Sequence, residues 1–257
     1  MIDCHCHLEQ KDYEQEREKV IEQCKKELKA IVTCCAHPRD LPLTLKLVKE
    51  NKNFIFCSIG IHPEHIKEIS DEEISNTIKE IEKNVSFITA IGETGLDYYW
   101  IKESKFREKQ REMFIKFIAL AKKLGKPLVI HSRDATKECI EILEQEGIQG
   151  KRVLMHLFSD RKLLVRVIEN GWLVSIGPGI KKSKDIRKVA RDMPLNKILL
   201  ETDSPWFAQK EQGQKYGTPL NARIALEKIA EIKRVSLEEV EKQTDLNAIE
   251  FFNLEIK

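Results

Sequence analysis

The sequence begins with two histidines at a spacing that suits a metal ligand pair. His5 and His7 lie two residues apart in segment 1–8, which is predicted to form a strand. Successive side chains of a strand point to opposite faces, so we expect the two imidazoles to share one face and Cys4 and Cys6 the other. A zinc site at the two cysteines is the alternative, but the chain contains no CxxC partner for it.

More metal-competent side chains stand at the ends of later predicted strands. They are His62, Glu93, His131, His156 and Asp203. A carboxylate that ends an apolar run is costly unless it is paired, so a metal is the natural partner of Glu93 and Asp203. His62 precedes a proline, and for it we favour a contact with substrate over a bond to metal.

Four histidines and two carboxylates exceed the ligand set of one tetrahedral zinc ion. They fit a dinuclear site in which one carboxylate bridges two divalent ions about 3.5 to 4 Å apart. Such a pair lowers the pKa of a water between the ions and stabilises charge on a phosphoryl or carbonyl oxygen, so the expected reaction is hydrolysis. Histidine and carboxylate ligands admit Mg, Mn or Zn. Asp97 is expected to orient a ligand, and Arg133 to form an ion pair or contact a phosphate.

Alternating apolar and amphipathic segments predict the elements that position these groups. The apolar segments are 1–8, 30–36, 54–60, 87–92, 128–130, 153–155, 172–176 and 198–200. Helices are predicted at 11–29, 39–51, 71–84 and 104–124, then ending near 147, 171 and 191, followed by two closing helices. Eight such units predict one α/β domain over 1–257, a (β/α)8 TIM barrel with an extra C-terminal helix, whose strand ends meet at one mouth. An open doubly wound sheet is the alternative fold.

Composition limits the other classes of function. The formal net charge of the 257 residues is +2, so a globally basic nucleic-acid footprint is absent. No apolar run approaches the ~18 to 20 residues of a membrane span, which predicts no contact with a membrane. The seven cysteines and the lack of a secretory leader predict buried, reduced thiols in a cytoplasmic protein.

Six motifs in order resemble the TatD family of metal-dependent deoxyribonucleases, which are TIM barrels of the metal-dependent hydrolase superfamily. They are D-x-H-x-H at 3–7, G-I-H-P at 60–63, I-G-E-x-G-L-D-Y-Y at 91–99, H-S-R-D at 131–134, H-x-F-S at 156–159 and E-T-D-S-P at 201–205. Singly each motif is weak, but together they are highly specific. Two departures are Leu157-Phe-Ser-Asp160, where the family often has C-F-S-G, and Gly217-Thr-Pro219, where it often has N-E-P; the second is expected to alter the substrate rim.

The resemblance implies a role for each candidate residue. His5, His7 and Asp203 would hold one metal, His131 and His156 the other, and Glu93 would bridge them. His62 would lie near the substrate phosphate. Catalysis would depend on Glu93 and on Asp203, whose role as proton acceptor or water orienter is a hypothesis.

The resemblance also implies a nucleic-acid substrate. Local candidates for contacting it are Arg133, Lys181, Lys182, Lys215 and Tyr216, in predicted mouth loops. A mouth that binds phosphate by metal and a few cations suits single-stranded or frayed 3′ ends, so we predict a 3′-5′ exonuclease of DNA with little sequence preference. The alternatives are an ester or amide hydrolase, such as the D-aminoacyl-tRNA deacylases of the same family, and an inactive metal-binding scaffold.

Overall fold

The structure, a computed structural model, describes residues 1–150 and 152–256. Its sheet has eight parallel strands in sequence order: β1 (Ile2–Cys6), β2 (Ala30–Cys35), β3 (Ile55–Ile59), β4 (Ala90–Asp97), β5 (Leu128–Arg133), β6 (Val153–Met155), β7 (Leu173–Ile176) and β8 (Ile198–Leu200). Two backbone hydrogen bonds close the sheet into a barrel. The N–H of Asp203 donates to the carbonyl of His5 at 2.9 Å, and the N–H of His7 donates to the carbonyl of Ser204 at 2.7 Å. The predicted (β/α)8 barrel is confirmed.

Helices cover the outside of the barrel. They are α1 (Arg17–Glu27), α2 (Leu41–Glu50), α3 (Asp71–Lys83), α4 (Ser104–Leu124), α5 (Thr136–Gln145), α6 (Leu164–Glu169), α7 (Lys184–Asp192), α8 (Ala222–Lys233) and α9 (Leu237–Phe252). A capping box starts α3, with Ser70 and Glu73 bonded reciprocally. Within the described residues, no helix is long and apolar enough to span a membrane.

The barrel interior is apolar below the mouth. Small and branched side chains from the strands, such as Val129 and Leu154, form one cluster with Phe251 and Phe252 of α9, the extra C-terminal helix. Cys4 belongs to this cluster, whereas Cys6 packs in the larger cluster that includes helix side chains. The expected shared face of the two cysteines is therefore wrong, because the pairing of β1 with β2 shifts register between Asp3 and Cys6. All seven cysteines are buried and unpaired.

The strand that carries Glu93 differs from its predicted bounds. Segment 87–92 was expected to form it, but β4 starts at Ala90 and runs to Asp97. Its pairing with β5 is irregular between Ile91 and Thr94, a bulge that changes the direction of side chains. Gly92 lies at φ 139°, and a Cβ there would come within 2.3 Å of the Val129 carbonyl oxygen. Only glycine allows β4 to approach β5 this closely.

The first predicted helix also differs. Instead of one helix over 11–29, a 3₁₀ turn (Lys11–Tyr13) precedes α1, which ends at Glu27. The apolar residues at helical spacing, Val20, Ile21 and Cys24, all lie within α1 and are buried. The prediction was too long because residues 11–19 contribute only Tyr13 to the core.

Candidate metal centre

Glu93 lies at the centre of the mouth, buried among the predicted ligands. Its two carboxylate oxygens face two different groups of side chains. Oε2 lies 3.4 Å from His5 Nε2 and 3.9 Å from His7 Nε2. Oε1 lies 2.8 Å from His131 Nδ1 and 3.6 Å from His156 Nε2. The carboxylate therefore divides the predicted ligands into two groups.

Asp203 completes the first group. Its Oδ1 lies 3.4 Å from His7 Nε2 and 3.8 Å from His5 Nε2, and those two nitrogens are 3.2 Å apart. Asp203 is held there by its N–H bond to the His5 carbonyl, and its side chain is 16% exposed. Four donor atoms from four residues thus surround one point beside Glu93 Oε2.

Buried carboxylates orient three of the four imidazoles by accepting a hydrogen bond from the ring nitrogen that faces away from the cluster. The pairs are His131 Nε2 with Asp97 at 2.9 Å, His156 Nδ1 with Glu201 at 2.6 Å, and His7 Nδ1 with Glu9 at 3.1 Å. In the neutral ring each bond fixes the tautomer and leaves the inner nitrogen as a metal ligand. The inner nitrogen of His131 is Nδ1, and that of the other two is Nε2.

An orienting role is predicted from sequence for Asp97, but not for Glu9 or Glu201. A signal existed for Glu201, because it directly follows the buried strand β8 and is itself 0% exposed. The cost of an unpaired carboxylate behind an apolar run applies to it as much as to Glu93. Glu9 gave no such signal, since its second partner, the Thr33 hydroxyl at 3.0 Å, comes from a different strand.

Electrostatics favour ionised carboxylates here. Burial alone would raise the pKa of Glu93, but the neighbouring imidazoles of His62 and His156 and the hydrogen bonds from His131 and His5 hold it well below its usual range. Burial would lower the pKa of His156, but the charges of Glu201 and Glu93 raise it to about 9. Without metal, protons on the imidazoles therefore offset the negative charge of the carboxylates.

His62 has a different hydrogen-bonding role from the other mouth histidines. Its Nδ1 accepts the backbone N–H of Glu64 at 3.2 Å, so the neutral ring carries its proton on Nε2. That nitrogen lies 3.5 Å from Glu93 Oε1 and 3.0 Å from His131 Nδ1. Burial and the neighbouring His131 hold the pKa of His62 well below its usual range, which keeps the ring neutral. His62 thus directs an N–H donor into the cluster.

Arg133 lies two residues beyond His131 and therefore on the same face of β5. Its guanidinium carbon is 3.7 Å from the centre of the Tyr99 ring, and no carboxylate among the described residues forms an ion pair with it. Tyr216, by contrast, packs edge-on against Tyr13 and donates to Glu16. None of the contacts described for Lys181, Lys182, Lys215 or Tyr216 reaches the six predicted ligands.

Replacing Glu201 tests how far these orienting bonds matter. We expect Glu201→Gln to lower metal affinity by roughly 10- to 100-fold, because a neutral amide no longer fixes the His156 tautomer. Metal affinity would be measured by competition with a chromogenic chelator. The exposed Glu227→Gln on α8 is the control. Unchanged affinity in the Glu201 variant would show that His156 does not need this partner.

The whole chain is similar in sequence to a known protein family. The chain matches the family described as TatD related DNase over residues 2–253. It is 32% identical to the human protein named Deoxyribonuclease TATDN3, with 98% of this chain and 94% of that protein covered. It is also 32% identical to the uncharacterized metal-dependent hydrolase YabD of Bacillus subtilis, with 99% of each chain covered.

Solved structures share the architecture. The crystal structure of YJJV, a TatD homolog from Escherichia coli, superposes with a TM-score of 0.87 at 23% identity and 98% coverage of both chains. That likeness supports the barrel, and the family match together with the sequence relatives supports the chemistry. The chain therefore belongs to the TatD family of metal-dependent hydrolases.

Proposed function

We propose that this enzyme hydrolyses phosphodiester bonds at the 3′ ends of single-stranded or frayed DNA, with two divalent ions, Mg, Mn or Zn, held at the mouth. The observation that carries the proposal is the division of the cluster by Glu93, whose two oxygens face separate groups of ligands. His5, His7 and Asp203 would hold one ion, His131 and His156 the other, and Glu93 would bridge them.

The donor set fits such a pair of ions. Imidazole nitrogens and carboxylate oxygens converge from five strand ends, and three of the rings are held by outer hydrogen bonds that turn the inner nitrogen toward the cluster. Two divalent ions would replace the protons that now offset the negative charge, supply a water of lowered pKa as nucleophile, and neutralise charge on the phosphate.

The side chains of the enzyme supply the rest of the reaction. Asp203 is the more exposed of the two central carboxylates, at 16% against 3% for Glu93. Because an attacking water can reach it, Asp203 would accept the proton of that water. The Nε2–H of His62 would donate to a phosphate oxygen, and the unpaired guanidinium of Arg133 would contact the phosphate backbone. The name of the human relative, Deoxyribonuclease TATDN3, supports DNA as the substrate.

Release of nucleotides from a 3′-labelled single-stranded oligodeoxynucleotide tests the proposal. We expect none from metal-stripped protein and turnover when Mg, Mn or Zn is added back. A closed circular DNA should resist hydrolysis under the same conditions. Equal cleavage of the circle would contradict attack at 3′ ends. Stoichiometric metal binding without any nuclease activity would contradict DNA as the substrate, and D-aminoacyl-tRNA would then be tested.

His62→Ala separates contact with substrate from metal binding. We expect kcat/KM on DNA to fall by roughly 10²- to 10³-fold, because one preorganised donor to a charged oxygen is lost, while metal stoichiometry stays unchanged. His65→Ala is the control, since this imidazole lies on the same 3₁₀ turn, with its ring centre 6.1 Å from that of His62. Loss of bound metal in the His62 variant would make it a ligand instead.

A further inference from the structure

Large aromatic side chains are exposed on two sides of the mouth. Trp206 is 49% exposed in the loop after β8, and Trp100 is 55% exposed in the turn after β4. Because the eight strands form a ring in sequence order, β4 and β8 are four positions apart and lie opposite each other. A single exposed indole is common on protein surfaces and indicates no binding site. Two indoles that flank a reactive centre from opposite sides suit a ligand with flat faces.

Trp206 is fixed beside the first group of ligands. Its ring centre lies 4.9 Å from that of His7 at an angle of 73°, and its backbone N–H donates to the carbonyl of Asp203 at 3.1 Å. Gly217 closes the loop by donating its N–H to the carbonyl of Pro205 at 2.7 Å. A Cβ at Gly217 would lie 2.2 Å from the Trp206 carbonyl oxygen, so this close approach requires glycine.

Trp100 is tied to the second group of ligands. Its backbone N–H donates to Asp97 Oδ1 at 2.7 Å, and the other oxygen of that carboxylate accepts from His131. The neighbouring Tyr99 packs edge-on against Trp100 and lies under the guanidinium of Arg133. The same guanidinium lies farther from Trp100, at 5.6 Å from its ring centre, and Trp100 is the more exposed of the two rings, at 55% against 43%.

We propose that Trp206 and Trp100 are the two stacking surfaces for the nucleobases on either side of the phosphate at the metal centre. This inference rests on the proposed function and extends it to the residues that hold the strand. Stacking uses the face of a base, which every base has, so it provides affinity with little sequence preference. Arg133, between Trp100 and His131, then meets the backbone between the stacked base and the reacting phosphate.

Abasic substrates test each surface separately. Three single-stranded oligodeoxynucleotides are compared: one with all bases, one with a tetrahydrofuran unit in place of the 3′-terminal nucleoside, and one with that unit at the penultimate position. We expect wild-type kcat/KM to fall roughly tenfold when either base is missing. Trp206→Ala should remove the preference for a base at one position, and Trp100→Ala should remove it at the other.

Conservative and distant variants complete the test. Trp206→Phe and Trp100→Phe should retain the preferences, since a flat ring remains. Phe87→Ala is the control, because Phe87 is 37% exposed at the opposite end of β4 and should not affect either preference. If neither alanine variant changes the preferences, or if both lose the preference at the same position, the stacking inference is wrong and the proposed function still stands. Failure of the metal-loaded wild type to hydrolyse any of the three substrates would overturn the proposed function and the inference with it.

Discussion

Glu93→Gln should lower kcat/KM on a single-stranded oligodeoxynucleotide by at least about 10³-fold. The variant keeps the shape of the side chain but loses its charge and one of the two oxygens that face the separate groups of ligands. Two ions can then no longer share this carboxylate, and several kcal/mol of stabilisation of transition-state charge are lost. Steady-state kinetics with Mn, together with a count of bound ions, would measure both effects.

Glu72→Gln controls for a general effect of removing one negative charge. Glu72 is exposed in the first turn of α3, so its replacement should leave turnover and bound metal unchanged. A Glu93 variant that binds two ions and turns over like the wild type would show that the two groups of ligands act without a bridging carboxylate.

Asp203→Asn should have the second-largest effect, a fall in kcat of roughly 10²- to 10⁴-fold, the range for loss of a general base. An asparagine oxygen can still approach the position that Oδ1 occupies near His5 and His7, so we expect metal binding to survive better than in Glu93→Gln. The loss should fall mainly on kcat, with KM little changed, because substrate binding depends on other side chains.

Asp185→Asn controls for the loss of one negative charge, since Asp185 is exposed on α7. A rise in KM with kcat unchanged would contradict a role for Asp203 in proton transfer.

The barrel and the convergence of the candidate ligands at one mouth could be predicted from sequence because both depend on local pattern. Each predicted ligand follows or ends an apolar segment, and the order of strands places all these ends at one mouth. The predicted bounds of α4 agree with the structure because Gly125 adopts φ 66° directly after the last apolar turn. Sequence patterns of this kind need no knowledge of distant contacts.

Features that depend on contacts between distant segments could not be predicted. The bulge in β4 follows from the approach of Gly92 to Val129 on the next strand. The partner of His7, Glu9, is also held by Thr33 of β2, and nothing near Glu9 in sequence indicates this. The exposed ring of Trp206 beside His7 likewise depends on loop closure by Gly217.

A two-metal centre can be tested by titrating metal-stripped protein with Mn and measuring bound ions and nucleotide release from a 3′-labelled single strand in the same samples. We expect two ions to bind per chain and turnover to appear as the second ion binds. Full turnover with one bound ion, or no turnover with two, would contradict a two-metal centre organised by Glu93.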